Sequence, residues 1–202
     1  MEGLAIAFVT CDKYEFIWDR WYEGFSKYWK VDLPVYFCGE EKECPWDFTQ
    51  IPHESVPVGL WTTKLRNQVK QIPEENIFLL MDDLIIQQDI SFEFEYFYKY
   101  FLRVGADSFR IMGRDSASKS DVVKKILGGT INKLRPTSSY LISYSPVIIR
   151  KDFLLECLQW DESPWDNELK GSIRIRPLMK DIYSFHIDGW YKNAVIKGHK
   201  VE

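Results

Sequence analysis

The stretch Asn76-Ile77-Phe78-Leu79-Leu80-Met81-Asp82-Asp83 constrains the fold more than any other. Five apolar residues run without a break into two adjacent carboxylates. A short unbroken apolar run predicts a strand buried on both faces, as in the middle of a parallel sheet. Two acids directly after it predict that the strand stops there, because burying unpaired charge is very costly. In open α/β sheets ligands collect beyond the carboxyl ends of strands. Asp82 and Asp83 are therefore the first candidate site residues, for a metal-assisted site that takes a phosphorylated ligand.

The preceding chain predicts the neighbours of that strand. Leu4 to Val9 reads as a buried strand ending at Thr10-Cys11-Asp12. Tyr14, Trp18, Trp21, Phe25 and Tyr28 lie at helical spacing, and Asp32 to Gly39 reads as a second strand with its turn. Strand, helix, strand is a βαβ unit. Residues 40–60 hold Pro45, Pro52, Pro57 and Gly59 and read as a loop with a short strand near Phe48–Ile51. Thr62 to Ile72 returns to helical spacing, with Thr62 or Thr63 as its cap. Lys64 and Arg66 sit early in that helix, where the dipole favours negative charge. They suggest an anionic partner, or else a solvated basic face.

Beyond the Asp82-Asp83 turn, Ser91 opens a helix through Phe94, Phe97, Tyr98 and Phe101 that Gly105 stops. Ser108 to Met112 reads as a strand. Residues 113–138 are polar and basic, and an irregular excursion with a short helix near Asp121 to Leu127 is expected. Ser139 to Ile149 gives two strand-like pieces broken at Ser145-Pro146. Asp152 caps a helix from Phe153 to Gln159. In Glu162-Ser163-Pro164-Trp165-Asp166-Asn167-Glu168, Ser163 reads as N-cap and Pro164 as the first helical residue, with Gly171 closing after two turns. Such a short helix is held by packing and can present an acid at a fixed place. Ser172 to Arg176 and Asp181 to Phe185 then read as strands, and the segment from Gly189 to His199 as a surface tail.

A length of 202 residues with 46% apolar side chains and a net charge of −4 fits one globular domain with no general attraction to nucleic acid. No basic segment leads into a long apolar one and no run is long enough to span a bilayer, so a cytoplasmic protein is expected. Cys11, Cys38, Cys44 and Cys157 form no CxxC pair and read as reduced thiols. Sugar-binding sites use aromatic rings, and of the eight tryptophans Trp61, Trp165 and Trp190 are candidates to stack on a sugar if the ligand is one, although core packing is the commoner use of such residues.

Taken together, the strand ending in Thr10-Cys11-Asp12, the basic helix, the strand ending in Asp82-Asp83, the Glu-Ser-Pro-Trp-Asp-Asn-Glu segment at 162–168 and the terminal Asn193 to Gly198 resemble nucleotide-sugar-dependent glycosyltransferases of the GT-A fold, of the kind that build capsular and surface polysaccharides. The resemblance implies a single α/β domain over 1–202, with a mostly parallel, Rossmann-like central sheet flanked by helices. It implies a nucleotide-sugar-binding half, 1–105, and an acceptor-side half, 106–202. It implies transfer of a sugar from a nucleoside diphosphate, UDP above all, to a hydroxyl of a glycan acceptor, with Mn²⁺ or Mg²⁺ and with peripheral attachment to a glycan-assembly system.

By the same resemblance Thr10, Cys11, Asp12 and Asp82 contact the nucleoside, and Lys64 or Arg66 the diphosphate. Asp83, with Asp82, holds the metal. A late histidine, His186 or His199, is a further ligand. Glu168 is the base of an inverting reaction, with Asp166 second. The family's usual Asp-x-Asp departs here to Met81-Asp82-Asp83. In an extended strand neighbouring side chains point to opposite faces, so adjacent acids share one metal only where the strand has broken. Two other classes compete: a nucleotidyltransferase making sugar nucleotides, and a non-catalytic nucleotide-sugar-binding protein. The first of these would be expected to carry a Gly-rich basic loop after the first strand, which Thr10-Cys11-Asp12-Lys13-Tyr14 is not.

Overall fold

A computed structural model describes residues 1–112, 119–126, 128–196 and 199–200. Leu127, Lys197 and Gly198, named above, lie outside the described residues, as does the side chain of His199. The nine-stranded central sheet has the order β3-β2-β1-β4-β9-β6-β10-β8-β7. Its strands are β1 (Leu4–Val9), β2 (Val35–Cys38), β3 (Thr49–Gln50), β4 (Asn76–Met81), β6 (Ser108–Met112), β7 (Ser120–Ile126), β8 (Gly129–Leu134), β9 (Val147–Arg150) and β10 (Ile182–His186). A separate short strand, β5 (Leu84–Ile86), follows β4 directly. Within the central sheet β8 and β9 run against the other strands, so the sheet is mostly parallel.

The apolar runs of β1 and β4 are buried because the sheet is covered on both sides. Side chains alternate between the two covers. Ile6, Phe8, Phe78 and Leu80 point into one core, beneath α1 (Trp18–Tyr28) and α3 (Ser91–Val104). Ala5, Ala7, Ile77 and Leu79 point into the other, beneath α2 (Trp61–Val69) and α4 (Lys151–Cys157). Burying each larger aliphatic or aromatic side chain in this way contributes roughly 1.5–3 kcal/mol. α1 lies close over β5, and a Cβ on Gly24 would sit 2.7 Å from the Ile86 carbonyl oxygen. Gly105 ends α3 with φ at 62°, the left-handed cap that glycine adopts without strain.

Several local expectations are corrected. Where a helix was expected near Asp121 to Leu127, the residues to Ile126 belong to β7, which pairs antiparallel with β8 at the edge of the sheet. Val122 and Val123 are exposed there, so no core-facing stripe existed to signal a strand. Ser139 to Ile149 gives one strand, β9, rather than two. Gly171 does not close the helix begun at Pro164. The chain runs on from α5 (Pro164–Asp166) through a π-turn (Asn167–Gly171) into α6 (Ser172–Ile175), where a strand was expected. Neither Thr62 nor Thr63 caps α2, whose first turn extends a 3₁₀ turn at Val58–Leu60. The tail does not merely cross the surface. Trp190 is fully buried, and β11 (Tyr191–Asn193) pairs antiparallel with β5. Among the described residues no helix is long and apolar enough to cross a membrane.

Candidate functional site

β1 and β4 pair in parallel, with Val9 opposite Met81. Their carboxyl ends therefore deliver Thr10, Cys11, Asp82 and Asp83 to one edge of the sheet. A cleft of about 780 Å³ opens there. Its lining includes Thr10, Cys11, Glu40, Lys64, Asp82, Asp83 and Glu168, with Lys13 and Tyr14 from the segment after β1. Four carboxylates thus share the cleft with two lysines.

The strand breaks at Asp82, as the two acids required. Asp82 lies in the turn between β4 and β5, and its N–H still donates to the Val9 carbonyl at 3.2 Å. Its side chain is buried and accepts from the Thr10 hydroxyl at 2.6 Å, while Trp18 Nε1 donates to that hydroxyl at 2.7 Å. This relay fixes the carboxylate. Burial pushes Asp82 up to about 7, opposed by the Thr10 bond and reinforced by Asp83. Asp83 is raised to about 6, chiefly by burial and further by the charge of Glu168. Its carbonyl accepts from Ala194 N–H at 2.6 Å, so the C-terminal segment holds the turn. Beside them burial and the Asp82 charge push the Cys11 thiol up to about 11, which keeps it protonated and unreactive at neutral pH.

The raised Asp82 predicts a pH effect on the protein in EDTA. Between about 4 and about 7 the folded state holds a proton that the unfolded chain has already released, so this group's contribution to stability falls as pH rises through that window. Asp82→Asn should melt increasingly higher than the wild type across it and keep that advantage at pH 8. Parallel melting curves for the two proteins from pH 4 to 8 would contradict the assignment.

Glu168 is held from two directions. It sits in the π-turn, and its Oε1 accepts from Tyr144 N–H at 2.7 Å. Asn167, fully buried, donates to the Cys157 carbonyl at 2.9 Å and to Glu162 at 2.8 Å, and accepts from the Tyr144 hydroxyl at 2.5 Å. Ser172 Oγ accepts from the N–H groups of Leu141 and Ile142 at 2.9 and 2.8 Å. Arg110, buried on β6, donates to the carbonyls of Tyr140 and Leu141. The loop at 140–145 is thereby clasped to the helical segment. Burial raises the Glu168 carboxyl above its usual range, and hydrogen bonds from Tyr144 and Ser143 and the charge of Arg110 limit the rise.

Other candidates lie elsewhere. Asp166 faces away from the cleft, paired with Lys170 at 2.8 Å and accepting from Ser163. Arg66 and Asp12 are not among the lining residues, although Asp12 N–H donates to Glu40 Oε2 at 3.0 Å. His186 is exposed at the end of β10 and outside the lining. Lys64 lines the cleft, but its ammonium donates to Glu40 Oε1 at 2.8 Å and to the Thr10 carbonyl at 3.2 Å. The anion it was expected to meet is thus supplied by the chain. Glu40, Tyr144, Asn167 and Arg110 were missed. Glu40 left a signal, an acid directly after the strand ending at Cys38-Gly39; Tyr144 and Arg110 reach the site only through the tertiary fold.

No protein-family model and no curated protein matches the sequence. Solved structures do match. TarS of S. aureus, a GT-A-like glycosyltransferase, aligns with a TM-score of 0.62 at 12% identity, over 95% of this chain and 36% of that one. The fold is GT-A-like. Residues 1–349 of TarS in complex with UDP-GlcNAc align at a TM-score of 0.59 and 11% identity, over 98% of this chain and 60% of that one. The chain thus spans between 36% and 60% of the TarS chains it matches. CMP:2-keto-3-deoxy-manno-octonic acid synthetase complexed with CTP aligns at 0.55 and 14% identity, over 95% of this chain and 91% of that one.

Proposed function

We propose that the protein is a glycosyltransferase that moves a sugar from a nucleoside diphosphate, UDP first among candidates, to a hydroxyl of a saccharide acceptor with inversion. The observation that carries this reading is the clasped Glu168, a half-buried carboxylate lining the same cleft as Asp83 at the carboxyl edge of β1 and β4. In the reaction the acceptor O–H gives its proton to a Glu168 oxygen. The acceptor oxygen bonds to the anomeric carbon, and that carbon's bond to the diphosphate oxygen breaks, its electron pair leaving with the diphosphate. A base is most effective when its pKa approaches the working pH, the direction in which burial moves Glu168.

The donor set suits a hard dication. Asp83 and Asp82 offer adjacent carboxylates in a broken strand, the ligand type that Mg²⁺ and Mn²⁺ take. Among the described residues no three His, Cys, Asp or Glu side chains form a fuller set. The two aspartates would thus hold the ion together with phosphate oxygens and water. When bound, such an ion offsets the charge that builds on a departing diphosphate. His186 and Asp166 have no part in this reading, since both lie outside the cleft. On this reading Thr10 and Cys11 would border the nucleoside, and Lys13, a cleft-lining cation, would meet the phosphates, Lys64 being already engaged by Glu40.

The reading is tested by adding UDP, and then a panel of UDP-sugars, with and without Mn²⁺. A melting shift with UDP that grows with Mn²⁺, and slow hydrolysis of one donor, support it. No shift with any nucleotide removes the donor site. Asp83→Asn should weaken Mn²⁺-dependent UDP binding by about tenfold or more, the order of effect seen when a metal site is disturbed; unchanged binding would take Asp83 out of it. A second reading, nucleotidyl transfer, draws on the near-complete overlap with the CTP-bound synthetase. It predicts pyrophosphate release from CTP or UTP in the presence of a sugar, and no hydrolysis of a nucleotide sugar.

A further inference from the structure

The helical segment 164–175 is apolar on its outer face. Asn167, Gly171 and Ile175 are buried on the inner side. Trp165, Leu169 and Ile173, again four residues apart, are 66%, 49% and 59% exposed. A surface helix ordinarily turns polar residues outward, and a contiguous exposed apolar stripe marks a binding surface. This one starts in the cleft, because Trp165 lines it together with Pro164 and Glu168. Of the three tryptophans singled out above, Trp61 is 9% exposed and Trp190 0%, both packed in the core, so Trp165 alone of these offers an open ring face. Beside its carboxylates the cleft is lined by Val56, Val58, Pro164 and Trp165, and Val58 and Trp165 are exposed where Glu40 and Asp82 are buried.

We infer that the acceptor is a glycoside with an apolar aglycone: its sugar stacks on Trp165, and its aglycone runs out along Leu169 and Ile173. Trp165 precedes Glu168 by three residues, a spacing that puts both on one side of a helix. A sugar on the indole therefore lies beside the base. The cations that alternate with the stripe along the segment are already paired, Lys170 with Asp166 and Arg174 with Glu162. The face therefore favours an uncharged apolar group over an anionic bilayer. The inference rests on the glycosyltransferase reading and names its substrate class.

The test uses methyl, hexyl and octyl β-D-glucopyranoside, each below its micelle-forming concentration, with the ¹⁵N-labelled protein in UDP and Mg²⁺, a diamagnetic ion that leaves the signals sharp. The tryptophan indole N–H signals are followed, and Trp165 is identified as the signal lost in Trp165→Phe. Affinity should rise about tenfold or more from methyl to octyl, since each buried methylene is worth about 0.8 kcal/mol. The Trp165 signal should shift, and Leu169→Ser with Ile173→Ser should erase the chain-length dependence. Equal affinities, an unmoved Trp165 signal, or a dependence that survives the double variant would each overturn the proposal. UDP binding is measured by melting shift in the same samples. If it is missing in the wild type the donor reading fails, whatever the glucosides do; if it is present and the chain-length series is flat, the acceptor inference alone fails.

Discussion

Glu168→Gln is expected to lower sugar transfer about 10²- to 10⁴-fold, the range a general base contributes. UDP affinity should stay within about twofold. The separation follows from the geometry. Glutamine keeps the side-chain oxygen that accepts from Tyr144 N–H, so the clasp on the 140–145 loop survives. It removes only the site that takes the proton. Asp166→Asn supplies the control, because that carboxylate is tied to Lys170 outside the cleft, and it should transfer like the wild type. Initial rates and UDP titrations on the three proteins decide the matter. Full transfer by Glu168→Gln, or a loss by Asp166→Asn as large as that by Glu168→Gln, would reject Glu168 as base.

Lys64→Met is expected to cost about 3–5 kcal/mol of folding stability, the usual penalty for removing one partner of a buried ion pair. Lys64 is 1% exposed, and among the described residues Glu40 keeps one donor, the Asp12 N–H at 3.0 Å, once the ammonium is gone. The double variant Lys64→Met with Glu40→Gln should recover much of the loss, because no unpaired charge then remains. Urea unfolding of the single and double variants measures both. A single-variant loss under about 1 kcal/mol would mean that water reaches Glu40 and that the pair is not buried as described.

Those two residues also show what sequence could and could not reveal. The run into Asp82-Asp83 was legible because it is self-contradictory unless a strand ends there, and Ser163-Pro164 because a hydroxyl before proline is local chemistry, borne out by the Ser163 cap on Asp166 N–H. Gly105 was legible for the same reason. Lys64 was read as a cation seeking an anion, which is right as chemistry, but Glu40 lies on the other side of a loop and only the fold brings it near. The segment Ser172 to Ile175 alternates apolar and polar residues like a strand. It is helical because Ser172 caps the Leu141 and Ile142 amides and Ile175 packs beneath. Tertiary contacts overrode a local period there. The exposed ring of Trp165 was equally hidden, since composition gives no sign of which tryptophan faces out.

The placement of β9 has a consequence for how the chain is made. β9 lies between β4 and β6 and pairs antiparallel with both, Phe78 opposite Ile148 and Phe109 opposite Ile148. On a ribosome, β4 emerges with β1 as a partner on one side and nothing on the other until residues 147–150 have been synthesised. An open edge on a strand this apolar invites pairing with other chains. The strand that carries Asp82 and Asp83 is thus sealed late, and nascent chains stalled before residue 147 should be the aggregation-prone species in its biosynthesis.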